Sequence, residues 1–181
     1  PCGALACTGW QKGLLPTNWP GRSMPGWRVG LLAGPENVAK AFATMNSNHI
    51  TNVPEVVTAA AVAALTGPQD YVTESRAVFQ RRRDLVVSML NEAPGLQCRT
   101  PEGAFYVFPS VHGCIGKTSP GGARIETDED FVVALLEEEG VAAVHGSAFM
   151  YPGYFRISYA TSTELLREAC TRIQRFCRSL S

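Results

Sequence analysis

Two arginines set among apolar residues are the side chains best suited to chemistry. Arg156 lies in Gly153-Tyr154-Phe155-Arg156-Ile157-Ser158-Tyr159-Ala160, where aromatic and β-branched residues alternate with smaller or polar ones, the pattern of a strand. A guanidinium flanked by Phe155 and Ile157 must meet an acid, and its planar fork suits a carboxylate in bidentate contact. That acid is either a glutamate of the same chain or the carboxylate of a bound molecule. Arg28 closes Met24-Pro25-Gly26-Trp27-Arg28, just before the apolar run Val29 to Ala33. Metal chemistry has no matching pattern. No C-x-x-C pair occurs, and His49, His112 and His145 are scattered. Cys170 and Cys177 are seven apart, on one face of a helix, as buried thiols are.

Composition narrows the partners. Sixteen basic and sixteen acidic residues cancel, so no overall field draws nucleic acid or an anionic membrane. Arg81-Arg82-Arg83 has no interleaved aromatic residue and reads as a solvated helix face. No apolar run approaches the roughly 20 residues of a membrane span. The first residues lack the basic, apolar and small-residue order of a signal peptide. The expectation is a cytoplasmic protein without a membrane or nucleic-acid partner.

The elements that must position the arginines follow in order. Residues 1–26 mix Gly, Pro, Trp and Cys without period, and Pro16, Pro20 and Pro25 exclude a regular helix, so an irregular leader is expected. Trp27 to Ala33 reads as a buried strand for the interior of a parallel sheet, closed by Gly34-Pro35. A helix from about Glu36 to Met45 offers Val38, Phe42 and Met45 to one side, and Asn46 to His49 break it. Pro54 opens an alanine-rich helix, Glu55 to Leu65, that suggests packing on both sides. A longer helix, about Gln69 to Glu92, repeats Tyr71, Val78, Leu85 and Val72, Phe79, Val86 every seven residues.

Beyond it the order is two strands, helix, two strands, helix. The strands are Leu96 to Arg99, Ala104 to Phe108, Val141 to Val144 and the Arg156 segment. Thr127-Asp128-Glu129-Asp130 is a capping-box start for a helix through Glu139. The last helix starts near Thr161, with apolar positions at 165, 166, 169, 170, 173, 176, 177 and 180. This is α/β: helices covering a small sheet over 69–181. Residues 27–68 look like the edge of a larger layer.

Three stretches, in this order and spacing, closely resemble the C-terminal half of the class I aminotransferases: Met24 to Gly30, Pro101-Glu102-Gly103-Ala104-Phe105-Tyr106-Val107-Phe108-Pro109, and Gly146-Ser147-Ala148-Phe149 leading to Tyr154 to Ala160. Those enzymes use pyridoxal phosphate. The runs Ile115 to Thr118 and Glu126 to Phe131 look most like the bacterial aspartate or aromatic/prephenate branch.

The resemblance, which covers about residues 24–178, implies several roles. Arg28 matches the arginine that binds the cofactor phosphate, and Arg156 the one that grips the substrate α-carboxylate. Phe105, Tyr106, Ser147 and Phe149 fall where the small domain closes over substrate. Residues 27–68 correspond to part of the large cofactor-binding domain and 69–181 to the small domain. The implied reactants are an amino acid and a 2-oxo acid, and the implied assembly is a homodimer.

One position departs from the pattern. The family places its aldimine-forming lysine eight residues before the phosphate arginine, and here that residue is Pro20, which has no side-chain amine. Lys12, sixteen residues before Arg28, is the only lysine upstream. Agreement begins near Ser23 and stops abruptly before it, the mark expected of an altered or truncated reading frame. The family's N-terminal half, which supplies the acid for the pyridine nitrogen and most phosphate donors, is unmatched.

Three readings result. The first is an aminotransferase by family, inactive as this chain alone. The second is a non-catalytic lobe that binds a partner or a carboxylate, and the third a pyridoxal-phosphate lyase on the same scaffold. Mixing the chain with pyridoxal phosphate, reducing with borohydride and mapping peptides should therefore yield no adduct. A reduced adduct on Lys12 would make that residue the catalytic lysine and overturn the expectation.

Overall fold

In the computed structural model, which describes residues 15–17, 25–29 and 31–181, contacts separate the chain into two units, Pro1–Ser75 and Arg76–Ser181. Strand β1 (Leu15–Thr17) of the first unit pairs antiparallel with β2 (Leu31–Ala33), Pro16 opposite Leu32. This corrects two expectations. Part of the leader is ordered as a strand, and β2 has an antiparallel partner instead of awaiting a parallel sheet. Pro16 lacks a donor, which bars it from a central strand but not from a two-stranded ribbon with an open side. A 3-10 turn, Pro25–Trp27, precedes Arg28.

Helices α1 (Glu36–His49) and α2 (Glu55–Thr66) each begin after a proline, Pro35 and Pro54, whose φ near −55° is already helical. Helix α1 runs through the polar residues expected to break it. It ends at Ile50, and the next residue, Thr51, has a left-handed φ of 64°. The expected apolar faces are not covered. Ala39 and Ala61 are buried, whereas Phe42, Met45, Val56, Val62 and Leu65 are exposed.

Helix α3 (Asp70–Asn91) contains the boundary between the units. Of its two seven-residue stripes, the one ending at Val86 goes deepest, joined by Val87 and Leu90, while Tyr71 is exposed. The arginine run is not wholly solvated. Arg83 donates to the Pro101 carbonyl at 3.3 Å and pairs with Asp84, and Arg82 lies over the Phe79 ring.

The second unit is built on an antiparallel sheet of order β3-β5-β4, with β3 Tyr106–Val107, β4 Val144–His145 and β5 Phe155–Ser158. These strands are shorter than the sequence pattern suggests, and Gln97 reaches Ser110 only as an isolated bridge. Helix α4 (Asp128–Glu139) has the expected capping box. Thr127 accepts from Asp130 N–H, and Asp130 accepts from Thr127 N–H. Gly140, left-handed at φ 65°, ends it.

Helix α5 (Thr163–Ser179) is capped by Ser162 and buries Leu166, Cys170, Ile173 and Cys177 along one face, while Leu165 points outward. The core meets at three phenylalanines. Phe131 of α4 lies 5.3 Å from Phe155 of β5 and 5.4 Å from Phe176 of α5, centroid to centroid. The strand that carries Arg156 is thus anchored by its neighbour, Phe155, which is fully buried. Cys98, Cys114, Cys170 and Cys177 are free thiols.

Two outcomes are expected. Full-length chain should self-associate in sedimentation, and deletion of residues 1–66 should improve solubility, because apolar side chains of α1 and α2 lie open. A monodisperse monomer with no gain on truncation would contradict this. Acid should also unfold the protein. Burial alone would raise the Asp128 carboxyl, but the hydrogen bonds from the Ser147 hydroxyl and N–H hold it below its ordinary value. Thr127 lowers Asp130, and Arg175 lowers Glu139. Carboxylates depressed in the fold stabilise it above their unfolded values of about 4, and that contribution is lost as pH falls through the folded values. Thermal melting should be flat from neutral pH to about 5 and drop below about 4, less steeply in Asp128→Asn.

Candidate functional site

Arg156 sits at the centre of β5, opposite Val144 of β4, with β3 on its other side. Alternation along the strand sends Phe155 and Ile157 toward the core and Arg156 to the other face. The guanidinium is half-buried there and meets two aromatic rings. Its carbon lies 4.4 Å from the centroid of Tyr106 and 4.5 Å from that of Phe149. Each contact of this kind contributes about 0.5–1 kcal/mol at exposed sites and more when water is excluded.

Among the described residues no carboxylate pairs with Arg156, and none of its N–H groups has an acceptor. The glutamate of the same chain that the sequence left open as a partner is not there. A permanent cation whose rings are in contact and whose side-chain donors are open has the chemistry to accept a planar anion.

Each ring is held from behind. Tyr106 follows Ala104 and Phe105, and the Ala104 carbonyl accepts the Tyr159 hydroxyl at 2.8 Å, a contact across 55 residues. Ala104 itself is left-handed, φ 62°, an uncommon conformation for a residue with a Cβ. Phe149 ends the 3-10 turn Gly146–Phe149. Its ring meets Phe108 edge-on at 6.1 Å, and Phe108 stacks on Tyr154 at 5.5 Å and 6°. Gly146 is required at the start of that turn, since a Cβ would collide with the Tyr151 carbonyl oxygen and lie 2.9 Å from that of Tyr154.

Of the residues expected at the substrate, Arg156, Tyr106 and Phe149 come together. Phe105 packs instead against the hydrophobic core, its ring 4.3 Å from that of Tyr106. Ser147 binds Asp128, a residue the sequence presented only as part of a helix cap. The signal for Asp128 was weak because its partner lies 19 residues away. Tyr159 was visible only as a strand aromatic. A cleft of about 510 Å³, lined by Gly140, Val141, Ile157, Leu165 and Arg172 among others, does not include Arg156. Burial pushes the Cys98 and Cys170 thiols up to about 11, so neither is a nucleophile at neutral pH.

Arg28 belongs to the first unit and is exposed, with a left-handed φ of 52°. A Cβ on nearby Gly26 would meet nothing within 4 Å. Pro20 and Lys12 lie outside the described residues. Lys40 is ion-paired with Glu36 on the surface of α1, at 2.6 Å. The described residues around Arg28 therefore do not fit pyridoxal phosphate. Among the described residues one exposed guanidinium makes no phosphate cradle, and the position that the resemblance gives to the aldimine amine holds a proline.

Comparison with known proteins places these features. The family described as "Aminotransferase class I and II" matches residues 21–173. The aspartate/prephenate aminotransferase of Cereibacter sphaeroides is 58% identical over 177 residues, covering 98% of this chain and 42% of that protein. A probable aspartate/prephenate aminotransferase of Rhizobium leguminosarum is 57% identical over 155 residues, covering 86% of this chain and 39% of that protein. The crystal structure of the Rhizobium meliloti aspartate aminotransferase superposes with a TM-score of 0.80 at 50% identity, over 88% of this chain and 40% of that one. The chain thus spans about 40% of the length of the relatives it matches. With the small antiparallel sheet, its covering helices and the sequence motifs in register, the chain belongs to the class I and II aminotransferases.

Proposed function

We propose that this chain forms the carboxylate-gripping part of a cytoplasmic aminotransferase of the aspartate/prephenate type. The whole reaction moves an amino group between an amino acid, aspartate, glutamate or aromatic, and a 2-oxo acid. Residues 69–181 act as the small domain and 27–68 as part of the large one. In this reading the grip serves an assembly, a homodimer in the family, in which other residues would supply the amine and would hold pyridoxal phosphate as the electron sink. This chain by itself is inactive, because Pro20 has no amine to offer.

The observation that carries the proposal is Arg156, whose donors have no acceptor among the described residues while two ring faces hold its charge. Both substrates of a transamination bear an α-carboxylate, and a guanidinium fork binds it through two parallel hydrogen bonds. Fixing the carboxylate fixes the orientation of the carbon beside it. Orientation of this kind is worth up to about 7–11 kcal/mol of a reaction barrier at its limit. Tyr106 and Phe149 set the direction of the fork and exclude water from one part of the guanidinium. The lyase alternative uses the same carboxylate grip, and the high identity to aspartate/prephenate aminotransferases supports transamination over it.

Succinate tests the grip without needing a cofactor. Titration of 15N-labelled chain should move the Arg156 Nε–H resonance in a saturable way. Arg156→Gln should abolish the response, and Arg156→Lys should weaken it at least tenfold, since an ammonium loses the bidentate geometry. An Arg156 signal indifferent to succinate would refute the reading.

A further inference from the structure

Asp128 is a buried carboxylate that the carboxylate-binding reading does not itself use. It stands in the first turn of α4, only 2% exposed, and faces the segment that carries one of the Arg156 rings. One oxygen accepts the Ser147 N–H at 2.7 Å, and the other accepts the Ser147 hydroxyl at 2.6 Å. Ser147 stands two residues before Phe149 in the 3-10 turn Gly146–Phe149, and the chain then runs on into β5, which carries Arg156. One carboxylate therefore ties the turn that carries Phe149 to α4 through both of its oxygens.

The segment needs such a tie. Between its ends, Met150 is left-handed at φ 57° and almost fully exposed, and Tyr151 is exposed as well. Gly153 is left-handed at φ 82°, and a Cβ there would run into the His112 ring. Short-range hydrogen bonds close the turn, Met150 N–H to the Ser147 carbonyl at 3.0 Å and Tyr151 N–H to that of Gly146 at 3.1 Å. The Gly146 N–H, donating to the Tyr154 carbonyl at 2.7 Å, joins the first residue of the turn to the β5 side. The bonds to Asp128 add a tie to α4, which packs on β5 through Phe131 and Phe155.

We propose that Asp128 is a positioning residue for the Arg156 site. It acts through Ser147 on Phe149, setting the ring that lies 4.5 Å from the guanidinium carbon, and so sets the direction in which Arg156 presents its donors. This rests on the reading of Arg156 as the carboxylate grip. It assigns the 127–130 turn a task beyond capping α4, and it gives the buried charge a reason to be a carboxylate. Two donors of one serine, its N–H and its hydroxyl, each take a separate oxygen and so need an acceptor with two of them. An asparagine supplies one acceptor oxygen and turns donors toward donors.

The test uses 15N,13C-labelled full-length chain with three variants: Asp128→Asn, Ser147→Ala and Ser147→Thr. In Asp128→Asn and Ser147→Ala the Arg156 Nε–H shift, set by the two ring faces, should move. Succinate binding should weaken about tenfold, the scale of one charged hydrogen bond. Methyl shifts of Leu135 and Ile173 in the core should stay in place. Ser147→Thr keeps the hydroxyl on an exposed residue and should restore the wild-type Arg156 shift and affinity. An unchanged Arg156 shift in both disruptive variants, with only the melting temperature lowered, would show that Asp128 merely supports the fold. If Asp128→Asn does not fold, Ser147→Ala against Ser147→Thr decides. If the unaltered chain binds no succinate, the carboxylate reading falls, and the Arg156 shift in the variants still decides this proposal.

Discussion

Arg156 carries a permanent charge into a strand whose adjacent residues, Phe155 and Ile157, face the core, and no acid among the described residues neutralises it. A half-buried cation without a counter-ion loses hydration that something must offset. Here the offset comes from the negative faces of Tyr106 and Phe149. Ring faces stabilise a guanidinium without consuming its N–H donors. An aspartate in the same place would stabilise it more and leave it nothing to bind with. The site depends on that difference.

The rest of the second unit can be understood as support for those rings. The Phe131, Phe155 and Phe176 contacts fix the central strand between α4 and α5. Tyr159, on the strand's far side, reaches back to the Ala104 carbonyl and holds the approach to Tyr106. Asp128 holds the approach to Phe149. Non-glycine left-handed residues stand beside both approaches, Ala104 and Met150, conformations that persist only when the surroundings over-determine them. Packing, hydrogen bonding and backbone geometry thus converge on one side chain.

The first unit has a different character. Its helices start where prolines pre-set the backbone, but few of their side chains are covered, and Arg28 stands in the open. The cofactor chemistry of the family needs an amine, a phosphate cradle and an acid for the pyridine nitrogen, and the described residues do not assemble them. The guanidinium with free donors thus stands in the second unit, while the described residues of the first assemble none of the groups the cofactor needs.

Much of this was legible in the chain itself. The period of α5, the Thr127 capping box, the Gly140 stop and the burial of Cys170 and Cys177 follow from local rules that act within a few residues. The motifs around Arg28, Ala104 to Phe108 and Gly146 to Ala160 sufficed for the family. What the sequence could not give were relations between distant residues. Strand lengths depended on partners, so Leu96 to Arg99 kept only a bridge and Leu15 to Thr17, expected within an irregular leader, gained a pairing with Leu31 to Ala33. Local pattern likewise marked Phe105 and Tyr106 alike, and only the β3–β5 register put Tyr106 on the guanidinium and Phe105 against the core. That Arg156 has no acid, and that Asp128 reaches Ser147 across 19 residues, was decided by tertiary structure alone, because electrostatic and hydrogen-bond partners are set by distance in space and not by separation along the chain.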